Sequence, residues 1–409
     1  VTAATPDPGA RPLRAPRALD HRGRPGTSRS HPLRCLLFSP VAPPDPRNGD
    51  AQYTEDLVRS PPPAVEYVRY TDALASGEIA WGPSLRSAAT WRAPASLLPA
   101  AVRRAELRLA RRAGLLLPDP VRWIRIRGRF DLVHLHCMPV CFLGPRPPVV
   151  LSDSAGTFWY WSAVHRIPED RVLRLIRREG RVARRMGYLH PTANPAGDRL
   201  VFFIESGIAL AAQIGVDASK AVICPPGVPC SHCEPRSDGR TLVFVGKAFA
   251  VKGGHDALRI FELVRERIAN ARLIVAGPEP PAAVPDGVEW IGAVTRETLY
   301  DQVYPRGDAF LYPTRFDCAP LVVQEALAHG LPVLAPRIMG LPDLVRHGET
   351  GYLFEPGNIA EAAAAAIALL EDPAALKRSR AAALADFERR FSIARRNELL
   401  GDIYRSVAP

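Results

Sequence analysis

Short apolar runs alternate with helical patterns along this chain, and the series occurs twice, which constrains the fold more than any other feature of the sequence. In the first half the runs are RCLLFSP at 34–40, AVEYVRY from Ala64, DLVHLHCM from Asp131, PPVVLSDS from Pro147, RLVFFIES from Arg199 and AVICPP from Ala221. Helical periodicity lies between them, notably at 100–117 and 169–186. Continuous apolar runs bounded by proline or glycine suit strands buried on both faces, and strand alternating with helix implies a parallel sheet covered on each side. The second half repeats the rhythm at TLVFVGK, ARLIVAG, VEWIGAV, DAFLYPT and LPVLAPR. The expected fold class is therefore α/β, with two Rossmann-like, doubly wound parallel-sheet domains facing each other across a cleft.

A chain of 409 residues has room for two such cores. Residues 1–33 are rich in Pro, Arg, Gly and Ser without periodicity and read as a disordered basic leader. An N-terminal domain is expected over 34–228, and Pro225, Pro226, Gly227 and the polar stretch to Gly239 read as a linker. A second domain is expected over 240–391, and residues 392–409 as a helix that crosses back to the first domain. No apolar run is long enough to span a bilayer, so a cytoplasmic protein is expected. The formal charge of +11 is carried mostly by arginine, yet no helix-turn-helix, RNP-like or zinc-finger pattern accompanies it, and nucleic acid is not expected as a partner.

Parallel sheets bind ligands at the carboxyl ends of their strands. In VGKAFAVKGG, from Val245, a strand ends, a loop carries Lys247 and Lys252, and a helix starts near His255. Two cations beside a helix N-terminus form an electrostatic setting suited to a diphosphate; solvated loop lysines are the plain alternative. In DAFLYPTRFDCAPLVVQEALAHGLPVLAP, from Asp308, a strand leads to Asp317, and a helix opening near Ala319 and Pro320 carries Glu325. Asp317 stands where a carboxylate caps free amides or binds a hydroxyl. Glu325, on an otherwise apolar helix, needs a partner if it is covered, and a ribose would supply one.

The order VGK(x)4KG, then D(x)7E followed by ALAHGLPV, then MGLPDLVRHGETGYLFEPGN, resembles the C-terminal domain of retaining GT-B glycosyltransferases of family 4. From residue 34 to Val228 the resemblance rests on LLFSPVAPPDPRNGDAQYTEDLV, DLVHLH and VICPPGV. It implies that Lys247 and Lys252 clasp the diphosphate of a nucleotide-sugar donor, that Glu325 binds the donor ribose and that Asp317 contacts the transferred sugar. It further implies that the amides of Cys318, Ala319 and Leu321 hold phosphate or sugar, and that Gly49 approaches the donor. The catalytic group would be Asp317, Lys252 and Lys247, with no metal and no cofactor beyond the donor. The sequence departs from the family at Lys247, where arginine is usual, and at Asp317, one methylene shorter than the usual glutamate. A third departure is Asp153 and Ser154, which stand near a position often held by histidine and are sugar-proximal candidates.

The same fold also serves nucleotide-sugar epimerases or hydrolases, and a catalytically silent sugar-nucleotide binding protein is a further alternative. His134 and His136 share one face of a strand but lack a third metal ligand, and Cys230/Cys233 form a CxxC without a second pair. No metal site is expected. Trp159, Tyr160 and Trp161 suit an acceptor pocket or a core. Arg103, Arg104, Arg108, Arg111 and Arg112 on one helix pattern, with Arg122, Arg125, Arg127 and Arg129 after it, form either a solvated face or a peripheral contact with an anionic membrane.

Overall fold

A computed structural model of the chain describes residues 31–39, 49–81, 122–153, 162, 167–230, 236–280 and 283–408. Residues 1–30 of the basic leader, the helix expected at 100–117, Ser154, the aromatic trio 159–161, Cys233 and the arginines from 103 to 112 lie outside the described residues, while the leader's expected last residue, Leu33, opens the first strand.

The first half supplies β1 (Leu33–Phe38), β2 (Val65–Arg69), β3 (Ile79–Trp81), β4 (Arg122–Ile126), β5 (Leu132–His136), β6 (Val140–Phe142), β7 (Val149–Asp153), β8 (Arg199–Phe202) and β9 (Ala221–Ile223). Six of them form a parallel sheet in the order β2-β1-β5-β7-β8-β9. The short strands β3, β4 and β6 make a separate ribbon that the apolar runs do not announce. Its helices include α1 (Gly49–Arg59), α2 (Tyr70–Ala75), α3 (Glu169–Met186) and α4 (Glu205–Gln213). Every residue of β5 and β7 is buried, which is why these strands read as unbroken apolar runs with histidine or serine let in.

The second half supplies β10 (Thr241–Val245), β11 (Arg272–Ala276), β12 (Val288–Gly292), β13 (Ala309–Leu311), β14 (Val333–Pro336) and β15 (Gly351–Phe354). They are parallel, in the order β12-β11-β10-β13-β14-β15. Its helices include α5 (Gly254–Arg267), α6 (Leu321–Ala328), α7 (Leu341–Leu344), α8 (Ile359–Glu371), α9 (Pro373–Arg390) and α10 (Ile393–Val407). Counted within its own half, this order is 3-2-1-4-5-6, the doubly wound arrangement whose ligand crevice opens where the order reverses, between β10 and β13. In the first sheet the same reversal falls between β1 and β5. The crevice of the second sheet receives the loops that carry Lys252 and Asp317.

The two halves are tied by named contacts. Asp343, in α7, accepts from the amide and hydroxyl of Ser206 at 2.9 and 2.7 Å, so a carboxylate of the second half caps α4 of the first. Helix α10 packs back on the first half. There, Arg396 is 1% exposed and donates to the carbonyls of Asp56 and Pro226 at 3.3 and 3.4 Å, and the hydroxyl of Tyr404 lies 2.7 Å from that of Tyr67.

Gly253 ends the lysine loop in a left-handed conformation (φ 76°), and a Cβ there would stand 1.8 Å from the Pro313 carbonyl oxygen. Gly253→Ala is expected to destabilise the fold by at least about 1–3 kcal/mol from the backbone conformation alone, measured by denaturant unfolding. An unchanged midpoint would mean that the two loops do not pack this closely.

Candidate active site

The lysine loop follows β10; Phe249 anchors it to the neighbouring elements, and two further attachments hold it against the loop that follows β13. Phe249 packs on Phe244, His255 and Trp290 with ring centroids 5.6, 5.0 and 5.1 Å apart. The amide of Arg315 donates to the Val251 carbonyl at 2.9 Å, and its guanidinium pairs with Asp256 of α5 at 3.0 Å. Lys252 reaches across the reversal point: its Nζ lies 2.5 Å from Asp317 Oδ2 and 3.2 Å from the Phe316 carbonyl. Lys247 is exposed at the mouth of the same crevice.

Asp317 is not a helix cap. Its Oδ2 accepts from Lys252 and, at 2.6 Å, from the hydroxyl of Tyr312. Helix α6 begins one residue later than the sequence suggested, at Leu321, with Pro320 in the capping position and no side chain capping it. The amides of Cys318, Ala319 and Leu321 have no hydrogen-bond partner among the described residues. An uncapped helix start beside a half-buried ammonium is chemically an anion site.

Glu325 is 4% exposed, and the partner expected of a ribose is supplied by the protein itself. Arg296 Nε lies 2.8 Å from Oε1, and the Tyr304 hydroxyl donates to Oε2 at 3.0 Å. Arg296 also donates through NH1 to Asp56 of α1 at 2.7 Å, so one guanidinium joins carboxylates of both halves. Burial works against its charge, but Glu325, Tyr300 and Asp56 outweigh it and hold the guanidinium above its ordinary pKa. Arg296, Asp56 and Tyr304 escaped the sequence reading.

Across the crevice stand residues of the first sheet. Gly49 opens α1, exposed, and a side chain there would meet no atom within 4 Å. Asp153, at the end of β7, is 6% exposed and accepts from Thr192 Oγ1 at 2.9 Å. The fold also brings in Asp50, adjacent to Gly49, whose Oδ1 lies 3.2 Å from His136 Nε2. Burial would raise the pKa of Asp50, yet the hydrogen bond with His136 leaves it lowered. The Cys318 thiol registers the convergence. Burial raises its pKa well above the ordinary value; Asp317, Asp153 and Asp50 add to the shift and Lys252 opposes it.

His134 and His136 do not point at a common metal. The ring of His134 is wholly buried, between the Tyr404 hydroxyl at Nδ1 (2.6 Å) and Ser152 Oγ at Nε2 (2.8 Å). Burial lowers its pKa from 6.5 to about 3, and that of His190 to about 4. The unfolded state therefore binds protons that the folded state refuses. This contribution to stability is complete above about pH 6.5 and is lost as pH falls toward the folded-state values, by about 1.4 kcal/mol per pH unit for each histidine. Urea unfolding at pH 7 and pH 5 is expected to show that loss, and equal stabilities would contradict the burial of these rings. None of the six described cysteines is in a disulfide; Cys230, of the CxxC, sets its Sγ 3.5 Å from the Ala328 carbonyl.

Comparison with known proteins agrees with this geometry. The family described as "Glycosyl transferases group 1" matches residues 239–372. A glycogen synthase of Mycobacterium tuberculosis is 29% identical over 179 residues, covering 41% of this chain and 41% of its own length. The chain thus spans well under two thirds of that relative. Among solved structures, sucrose-phosphate synthase from Thermosynechococcus elongatus superposes with a TM-score of 0.59 at 16% identity, over 92% of this chain and 99% of that one. The HepE protein of Anabaena in complex with UDP gives 0.56 at 14% identity, over 92% and 100%. With a six-stranded parallel sheet in each half and a solved neighbour matched over 92% of its length, the chain has the GT-B fold, and its residues 239–372 match the glycosyl transferases group 1 family.

Proposed function

We propose that this protein is a retaining glycosyltransferase of family 4 that moves a sugar from a nucleotide-diphosphate-sugar donor to an acceptor hydroxyl, without a required metal. The observation that carries the reading is the pairing of Lys252 with Asp317 across the reversal point of the second sheet, beside the uncapped start of α6. Negative charge develops on the departing diphosphate, and a half-buried ammonium with fixed amides stabilises it without reorganising. The bond from the anomeric carbon to the diphosphate oxygen breaks, and the acceptor oxygen bonds to that carbon on the same face. The hydroxyl proton passes to a leaving phosphate oxygen. Lys247 adds charge at the mouth of the crevice, and Asp317, held by Lys252 and Tyr312, faces the transferred sugar. Gly49 leaves room for the donor, and Asp153 belongs to the opposite wall; Ser154, next in sequence, is proposed as a second sugar-proximal residue.

Glu325 serves the ribose through the oxygen that Tyr304 shares, with Arg296 fixing the carboxylate. Glu325→Gln is expected to weaken donor binding by about 10-fold or more, the loss of one charged hydrogen-bond acceptor, in a calorimetric titration. Unchanged affinity would remove Glu325 from the donor site. HepE of Anabaena binds UDP in its solved complex, so uridine, guanosine and adenosine diphosphate sugars form the first panel for a thermal-shift screen, since a tight ligand raises the melting temperature by mass action. A stabilising donor, followed by a product of unchanged anomeric configuration in NMR, supports the reading. Free sugar or epimerised donor formed without acceptor selects a hydrolase or epimerase, and binding without turnover selects a silent binding protein.

No helix among the described residues is long and apolar enough to cross a membrane. The proposed place of action is the cytoplasm, at an anionic membrane surface met by the arginines between 103 and 129. Arg125, Arg127 and Arg129 are exposed, and on α3 so are Arg171, Arg178, Arg181, Arg184 and Arg185. Co-sedimentation with anionic but not neutral liposomes is the expected result. Binding that survives replacement of the 103–129 arginines by glutamine would contradict this part of the proposal.

A further inference from the structure

Five hydrogen bonds run in series from the back of the first sheet to the crevice. The Tyr67 hydroxyl lies 2.7 Å from that of Tyr404, which lies 2.6 Å from His134 Nδ1. His134 Nε2 is 2.8 Å from Ser152 Oγ, Ser152 Oγ is 2.8 Å from His136 Nδ1, and His136 Nε2 is 3.2 Å from Asp50 Oδ1. Both histidines and Ser152 are fully buried, whereas the Asp50 side chain is 35% exposed at the crevice end. An ionised carboxylate only accepts. With both rings neutral, one direction then satisfies every pair: each histidine carries its proton on Nε2, Ser152 donates to His136, Tyr404 donates to His134, and Tyr67 donates to Tyr404. Phe203, stacked on His136 at 5.6 Å, and Tyr53, tilted against it at 4.7 Å, confine the ring.

We propose that this chain orients Asp50 as the carboxylate that binds the acceptor hydroxyl, on the wall opposite the diphosphate site. The inference deepens the transfer reading and rests on it. Asp50 lies at the reversal point of the first sheet, between the ends of β1 and β5, as Lys252 and Asp317 lie at that of the second. Its contact with His136, the last residue of β5, sets the carboxylate at that crevice. A carboxylate there takes a neutral polyhydroxyl acceptor through one charge-assisted hydrogen bond, and disfavours an anionic acceptor group at that position. Asp50 is the substrate ligand. His136, Ser152, His134 and Tyr404 act through it as positioning residues, and Tyr404 makes the docking of α10 part of the acceptor site. Asp50, His136 and Cys137 also lie close enough to chelate a divalent ion, with ligand atoms within 4.8 Å of one another. A metal held there would take one of the two His136 nitrogens, each of which has a hydrogen-bond partner in the proposed chain.

Two measurements on the full chain test the proposal. Long-range proton–nitrogen NMR of histidine-labelled protein at neutral pH is expected to show His134 and His136 as neutral rings protonated at Nε2, and Ser152→Ala to shift both. A cationic His136, an Nδ1-protonated ring, or stoichiometric zinc in the purified protein with His136 coordinated would overturn it. In transfer assays with UDP-glucose and a panel of methyl glycosides and polyols, Asp50→Asn is expected to lower transfer by about 10–100-fold while UDP affinity stays unchanged. Tyr404→Phe is expected to raise the acceptor KM several-fold at unchanged UDP affinity, a split that a general loss of structure would not give. Transfer by Asp50→Asn equal to the parent overturns the inference and leaves the donor site standing. If no nucleoside diphosphate binds the parent, the transfer reading itself fails, while the NMR result still decides whether the chain of hydrogen bonds exists.

Discussion

Turnover of the Lys252→Ala variant is expected to fall by about 10²–10³-fold, with a much smaller change in the affinity for the intact donor. The Lys252 and Asp317 side chains are only 24% and 18% exposed, so their electrostatics are less screened than those of a surface pair. In the ground state the diphosphate charge is spread and partly solvated, whereas at the transition state it concentrates on the leaving oxygen that an ammonium and the amides of Cys318, Ala319 and Leu321 can reach. An interaction stronger in the transition state lowers kcat more than it raises KM. Lys247, exposed at the mouth, is expected to show the opposite balance when replaced by alanine, with weaker donor binding and a modest change in turnover. Steady-state kinetics on both variants with the same donor checks this. A Lys252→Ala variant with parental kcat would show that the diphosphate lies elsewhere.

Replacing Arg296 with methionine is expected to destabilise the protein by about 3–5 kcal/mol. The substitution keeps an extended side chain but leaves Asp56 and Glu325 buried, 3% and 4% exposed, without the cation that pairs them. Because Asp56 belongs to α1 and Glu325 to α6, the loss also unfastens the two halves. Denaturant unfolding measures the cost, and the double variant Arg296→Met/Asp56→Asn should recover part of it by removing one stranded charge. A midpoint shift within error of zero for the single variant would mean that these carboxylates are solvated in solution.

The sequence made the strands legible because parallel strands covered on both faces must be apolar throughout, as in LIVA of β11 or VVL of β7. It located the crevice loops for the same reason, since glycine, lysine and aspartate interrupt that pattern only where strands end. The three-residue strands β3 and β6 are too short to show a period, and GYLF of β15 is a four-residue run entered from a turn. The fate of Glu325 was not readable. Its covering arginine is 29 positions upstream on an irregular helical stretch, and the guanidinium's second carboxylate is 240 residues away in sequence, so only the docking of the two halves unites them. His134 and His136 were seen as neighbours on a strand face, but the groups that use their nitrogens lie on β7, α1 and α10, at separations of up to 270 residues. Asp50 stood beside a residue already singled out, and nothing local distinguished it from an acid in the first turn of any helix.

The central claim is that two lysines and the start of α6 hold a diphosphate. Calorimetric titration of UDP, GDP and ADP, each beside its monophosphate, into the parent protein and the Lys247→Ala/Lys252→Ala double variant tests it most directly. The account predicts that at least one diphosphate binds the parent at least about 10-fold more tightly than its monophosphate, and that the double variant loses this preference. A preference of equal size in both proteins would contradict it.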